Sequence, residues 1–288
     1  MAALKKSIFL LPFIALSGCS LRTLALHQTV ALLDNGAATF YDEPDPVLAD
    51  QVMTANLKLL EALLRSEPDN AKLLSRSAEA FCGYTFLFVE DTQPDRARAL
   101  YLRGRDHALN LLARKSAFKG LADKDLESFS AAVAKADASD VPGMFWAAFG
   151  WANYINLSKD SPAAVAELPK AVALMQRVAQ LDPNYQFAGP ELFFGIYYAS
   201  RPAILGGDLN KAKTYFEDAR ARTSGKFLMT YVLEARFLGI GTQDPDLFKT
   251  LLQRVADAPA GTLPGSRLED EVAKRKAASL MGKINDYF

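Results

Sequence analysis

Gly207-Asp208-Leu209-Asn210-Lys211-Ala212, continuing through Phe216 to Ala219, carries the clearest structural signature in this chain. A small, a large aromatic and a small residue follow one another at spacings of four and three, so Ala212, Phe216 and Ala219 share one helical face. The alanines let a neighbouring helix approach closely, and the phenylalanine fills the groove between the two. Ala97, Tyr101 and Gly104 repeat the spacing in the first half of the chain. Leu57, Leu60, Leu63 and Leu64 form another apolar face, which ends at Glu67-Pro68-Asp69-Asn70. Val172, Met175, Val178, Ala179 and Leu181 do the same and end at Leu181-Asp182-Pro183-Asn184. A helix stopped by a proline-asparagine turn and followed at once by another apolar helix is the second half of a tetratricopeptide-like unit.

Almost every segment after residue 24 has helical periodicity, and no run alternates apolar and polar residues as a half-buried strand would. The sequence therefore predicts an all-α, tetratricopeptide-like array of roughly eleven helices in a single domain. The repeats are degenerate. Leu74, Ala78 and Phe81 fit the first-helix positions, whereas the turn after Asn184 needs about two extra residues before Gly195 and Tyr198 align. Helix junctions are expected at Asp42 to Pro46, Pro94-Asp95, Pro142-Gly143, Ser161-Pro162, Pro202, Gly206-Gly207, Asp244-Pro245 and Pro259 to Gly265. An array of this kind presents a concave binding surface and not a catalytic template.

At the other end of the chain, Lys5 and Lys6 precede an apolar run from Ile8 to Leu16 that closes on Leu16-Ser17-Gly18-Cys19. The run is about nine residues, and roughly 20 are needed to span a bilayer, so it reads as a secretion signal ending on a lipidated cysteine. The expected organisation is a signal peptide over 1–18, a lipidated N-terminus and first helix over 19–46, and the helical domain over 47–288. Ser20 stands where an aspartate would retain a lipoprotein at the inner membrane. That favours the outer membrane, facing the periplasm.

Losing Lys5 and Lys6 with the signal takes two from 33 basic side chains set against 33 acidic ones. The resulting charge near −2 gives no reason to expect nucleic acid as a partner. Half the residues are hydrophobic, enough for a large core. Cys82 is the only cysteine left once Cys19 is lipidated, so no intrachain disulfide forms and stability rests on packing.

In order along the chain, Leu57 to Leu64 with Glu67-Pro68-Asp69-Asn70, then Phe81, Tyr84, Phe86 and Val89, resemble the T-component of TRAP transporters, the tripartite ATP-independent periplasmic systems. Trp151 to Asp160 with Glu167-Leu168-Pro169 extend the likeness. So do Arg201-Pro202, Gly206-Gly207-Asp208, Ser224-Gly225-Lys226 and the closing Ile284-Asn285-Asp286-Tyr287-Phe288. The resemblance implies a periplasmic lipoprotein with a channel through its helical body, a homo-oligomer (a trimer) and a substrate-binding P-component as partner. It transfers no catalytic motif and no cofactor.

Enzyme chemistry has little to stand on. His27 and His107 are the only histidines, and neither sits in a metal-ligand spacing. Gly239-Ile240-Gly241 lacks the third glycine of a dinucleotide site, and Thr223-Ser224-Gly225-Lys226 lacks the upstream glycine of a phosphate loop. Both read as turns or helix ends. Asp123, Asp125 and Glu127 read as a helix start and not as a metal site. Two aromatic segments stand out: Met144, Phe145, Trp146, Phe149, Trp151 and Tyr154, and Phe187, Phe193, Phe194, Tyr197 and Tyr198. A helix apolar all round is buried among several helices or lines an apolar cavity. For a ligand in such a cavity the candidate contacts are Trp146, Trp151, Asn153, Asn156 and Tyr197, with Arg201 and Lys226 placed to meet a carboxylate.

The expected function is that of a membrane-anchored accessory protein in TRAP-type uptake, binding or channelling small organic molecules and docking a P-component. The alternatives are a tetratricopeptide lipoprotein scaffold that binds no small molecule, and an envelope hydrolase. Replacing Cys19 by Ala removes the acyl acceptor. The variant is expected to leave the membrane fraction and to lack the lipid mass; unchanged detergent partitioning would rule out lipid anchoring at this residue.

Overall fold

Short polar side chains set where the helices start. In the computed structural model, which describes residues 39–288, Asp45 accepts the backbone N–H of Val47 ahead of α1 (Pro46–Ser66). Asn70 caps α2 (Ala71–Tyr84), and Asp125 caps α4 (Leu126–Val133), which follows α3 (Pro94–Ala113). Ser161 caps the short α6 (Pro162–Ala166), after α5 (Val141–Asn156). Asp208 caps α9 (Leu209–Arg222) and Asp244 caps α11 (Pro245–Asp257). Each oxygen satisfies helix N–H groups that have no partner within the helix, and proline in the first turn loses nothing there. The remaining helices are α7 (Leu168–Leu181), α8 (Tyr185–Ala199), α10 (Leu228–Glu234) and α12 (Arg267–Gly282). Among the described residues there are these twelve α-helices, further helical backbone at 39–41 and no strand, so the chain is all-α. The expected signal peptide and the lipidation expected at Cys19 fall on residues outside the described ones. Residues 41–288 form one compact unit, while Thr39 and Phe40 fall with the segment before it.

Packing follows chain order: α1 lies on α2, α2 on α3, α3 on α5, α5 on α7, α7 on α8 and α8 on α9. The small residues allow this. A Cβ on Gly104 would lie 2.5 Å from the Cys82 sulfur, and one on Gly150 would lie 2.8 Å from the Tyr101 carbonyl oxygen. Ala97, Tyr101 and Gly104 are all buried in this seam. Ala212, Phe216 and Ala219 are fully buried against α8, where a Cβ on Gly195 would lie 3.0 Å from the Phe216 ring. Both spacings quoted from the sequence thus mark close helix contacts.

The array also closes on itself. α12 packs back against α1, and α10 to α12 form a second core with Phe216, Phe227, Phe248 and Leu252. α2 and α10 each run on into one π-helical turn, Thr85–Val89 and Ala235–Gly239. Matching turns follow, Thr92-Gln93-Pro94-Asp95 and Thr242-Gln243-Asp244-Pro245-Asp246. The two π turns are tied by ions. Arg236 reaches Asp91 at 2.8 Å, Lys276 from α12 pairs with the same carboxylate, and both cations stand 3.7 Å from Glu90. Glu90 also accepts the Tyr101 hydroxyl at 2.5 Å. Burial pushes the Glu90 carboxyl up despite the two cations. Burial also acts to raise Asp91, but Lys276 and Arg236 outweigh it and hold that carboxyl down.

At Gly150 the obstacle to a side chain is backbone, the Tyr101 oxygen and the Arg105 nitrogen at 3.1 Å, which cannot rotate away. Gly150→Ala is therefore expected to cost about 1–3 kcal/mol by overpacking, read from a chemical denaturation midpoint. No shift would mean that α3 and α5 do not meet here.

Candidate functional site

A stripe on α5 defines the site. Trp146, Phe149, Asn153 and Asn156 recur at three and four residues and so face one way. They look into a cavity of about 650 Å³. α5 is apolar all round because it meets α3 on one side, the α7 core on another and this space on the third. Phe86 and Leu87 of the first π turn, Leu168 and Val172 of α7, Phe193 and Ile196 of α8, and Met229 and Leu233 of α10 complete the walls. The rings interlock edge to face, Trp146 on Phe149 at 5.6 Å and Phe86 on Phe149 at 5.6 Å.

The start of α8 is strained. Gln186, Phe187 and Ala188 take left-handed dihedrals, with φ of 49°, 56° and 62°. The right-handed helix therefore begins only after them, which puts Pro190 in its first turn, where a missing N–H is harmless. Left-handed backbone costs roughly 1–2 kcal/mol per non-glycine residue, so the surroundings must hold this turn in place. Phe187 stacks on Phe227 at 4.6 Å, and Gly189 accommodates the Phe145 ring, which a Cβ would meet at 2.5 Å. On the far side, Arg222 pairs with Glu191 at 2.7 Å and donates to Asn184 at 3.2 Å. Gln186 and Phe187 also line a second, outer pocket of about 390 Å³ with Arg222 and Leu263.

Polar groups are confined to the ends of the main cavity. At the C-terminal ends of α5 and α8 are Asn156, Lys159, Tyr197, Ser200 and Arg201. The Arg201 guanidinium lies 3.5 Å over the Tyr197 ring, and the Asn153 amide donates to the Phe149 carbonyl at 3.0 Å. Lys159 forms no salt bridge among the described residues; burial and the nearby Arg236 hold its ammonium below the usual lysine range. Glu269 lines the cavity from α12, and one of its carboxyl oxygens has no hydrogen-bond partner among the described residues. Burial above all, with Asp270 and Glu79 adding, raises its carboxyl to about 8.

Of the seven candidate ligand contacts, Trp146, Asn153, Asn156, Tyr197 and Arg201 come together in this cavity. Trp151 and Lys226 do not line it. Five residues on from Trp146, Trp151 points to another side of α5, where it packs on Phe129 with Arg105 over its ring. Lys226 follows the left-handed Ser224 and Gly225 in the turn after α9. Lys159, Glu269 and Gln186 are lining groups to which the sequence reading does not point, whereas Phe187 belongs to the second aromatic segment read from the sequence. Continuing the α5 stripe past Asn156 reaches Lys159, whereas nothing in the local sequence ties Glu269 to a site.

Elsewhere, His107 is half-buried against Phe81 at 5.4 Å, and burial lowers it. Asp125 is a helix cap that accepts from the Ser128 N–H at 2.9 Å. Among the described residues no cluster of three or more His, Cys, Asp or Glu could hold a metal ion.

The family model described as TRAP transporter T-component matches residues 42–288, which include every cavity-lining group. A protein of Treponema pallidum (strain Nichols), described as uncharacterized, is 25% identical over 304 residues, covering 94% of each chain.

Because glycine adopts left-handed backbone without penalty, Gln186→Gly is expected to stabilise the fold by about 1 kcal/mol, an unusual sign for a glycine substitution. Thermal unfolding reads this directly, and a lower melting temperature would show that the turn is not held left-handed.

Proposed function

This chain belongs to the TRAP transporter T-component family, and we propose that within its transporter it receives a small, largely apolar organic carboxylate in the central cavity and exchanges it with a substrate-binding P-component. The single observation that carries the ligand reading is the cavity itself: aromatic and aliphatic walls, with the cations Lys159 and Arg201 gathered at one end. Sites for small molecules are mostly apolar, with a few convergent polar groups that set orientation. A carboxylate among Asn156, Lys159 and Arg201 would supply the negative partner that Lys159 lacks among the described residues, while its tail displaced water from the aromatic walls.

The same end offers a surface for the P-component. Pro202 and Leu205 line the cavity there, and Ile204 and Leu205 are 92% and 67% exposed beside it. Exposed apolar side chains at a cavity mouth suit a transient protein partner that covers the opening. We further propose that Cys19 carries a lipid anchor holding the chain at the outer membrane on the periplasmic side, and that it assembles as a homo-oligomer. Docking can then be weak: about micromolar affinity, near −8 kcal/mol, allows capture and release.

The chain's two tryptophans make a direct test possible. In a Trp151→Phe background Trp146 is the sole tryptophan, and its emission is expected to change when dodecanoate is titrated. Lys159→Ala and Arg201→Ala are each expected to weaken binding by roughly tenfold, the value of one hydrogen bond to a charged group. Flat fluorescence and an unmoved melting temperature across alkyl carboxylates would favour the scaffold reading. Light scattering with the P-component of the same genome is expected to show a heavier species.

A further inference from the structure

Among the described residues Glu269 is the one carboxyl group in the cavity lining, and its surroundings fix where along the cavity it sits. Its neighbour Asp270 accepts the Leu228 N–H at 2.9 Å, which places Glu269 beside the lining residues Phe227 and Met229. Phe227 stacks on Phe187, and Gly189, two residues on, packs against Phe145. Phe145 and Trp146 stand near the start of α5, whereas Asn156 ends that helix and Lys159 follows it. Ten residues of helix from Trp146 to Asn156 amount to about 15 Å. Carboxyl and cations thus face each other along the length of an apolar tube.

A carboxyl group in such a wall is costly unless something answers it. One Glu269 oxygen lacks any partner among the described residues, although rotation about the last side-chain torsion readily exchanges the two oxygens. Neighbouring Asp270 is already satisfied by Leu228, Gly261 and Ser266, and so does not compete for a ligand. Held near a pKa of about 8 by burial, Asp270 and Glu79, Glu269 is mostly uncharged at neutral pH and both donates and accepts.

We propose that Glu269 is a specificity residue for a ligand polar at both ends: a carboxylate at Lys159 and Arg201, and an uncharged hydroxyl carried by the far end of the chain to the Glu269 carboxyl. This rests on the reading that the cavity takes an apolar carboxylate. At roughly 1.25 Å per carbon along an extended chain of 1.5 Å bonds, the span corresponds to about twelve carbons.

The experiment compares 12-hydroxydodecanoate with dodecanoate, by titration calorimetry, on the unmodified chain and on Glu269→Gln and Glu269→Leu. The hydroxy acid is expected to bind the unmodified chain more tightly than dodecanoate. Glu269→Gln, which keeps a donor and an acceptor, is expected to retain that preference. Glu269→Leu is expected to shift the affinity ratio about tenfold toward dodecanoate, the worth of one buried hydrogen bond. An unchanged ratio in Glu269→Leu overturns the assignment while leaving the cavity reading intact, provided that dodecanoate still binds. Tighter binding of 12-aminododecanoate than of the hydroxy acid would overturn the uncharged partner. Failure of both acids to bind the unmodified chain would remove the cavity reading and this proposal together.

Discussion

The cavity exists because the helical array is closed, and closure is held by the ion cluster of Glu90, Asp91, Arg236 and Lys276. An open array would leave a groove exposed to water. Here two carboxylates at the end of the first π turn meet one cation from the second π turn and one from the last helix. The pairs are partly or wholly desolvated, so their net contribution to stability is small, because the attraction mainly offsets lost hydration. Their effect is on geometry. Sliding either π turn past the other would leave a charge in a low-dielectric place without its partner, and that cost selects one register for closure.

The charges at the clasp are balanced, and this bears on what happens at the neighbouring cavity mouth. Glu90 and Asp91 answer Arg236 and Lys276, and Lys159 pairs with no carboxylate among the described residues; burial, and then the positive Arg236, hold its ammonium below the usual lysine range. Two cations thus line this end of the cavity, Lys159 and, set over the Tyr197 ring, Arg201.

Features that depend on a single helical period were legible in the sequence. The helix junctions at Asn70, Gly206-Gly207 and Asp244-Pro245, and the small-aromatic-small faces around Tyr101 and Phe216, were readable because each involves residues within a turn or two of one another. The α5 aromatics were readable as a group, yet Trp146 and Trp151 could not be told apart, since a helix apolar on every side gives no clue to which side faces a cavity. The π turns escaped the α-helical period altogether. Each inserts one residue, which shifts the apolar stripe around the axis, and the likeness of Thr92-Gln93-Pro94-Asp95 to Thr242-Gln243-Asp244-Pro245-Asp246 is evident only once both are seen to follow such a turn. Closure itself was illegible, because Asp91 and Lys276 are 185 residues apart and nothing local links them.

Strain and closure meet at the far end of the cavity. Three consecutive left-handed residues at Gln186 to Ala188 would relax to right-handed helix in isolation, extending α8 backward by a turn. In place, Phe187 is stacked on Phe227 and the outer side of the turn is held by Arg222 through Asn184 and Glu191. Relaxation would pull Phe187 away from Phe227 and alter the wall between the main cavity and the outer pocket, both of which Gln186 and Phe187 line. The aromatic pair thus does two things at once: it offsets the backbone strain and it separates the two spaces. Glu269 stands beside that partition, so the carboxyl with an unpartnered oxygen lies where the cavity is most tightly defined by packing, and opposite the end where it is most strongly charged.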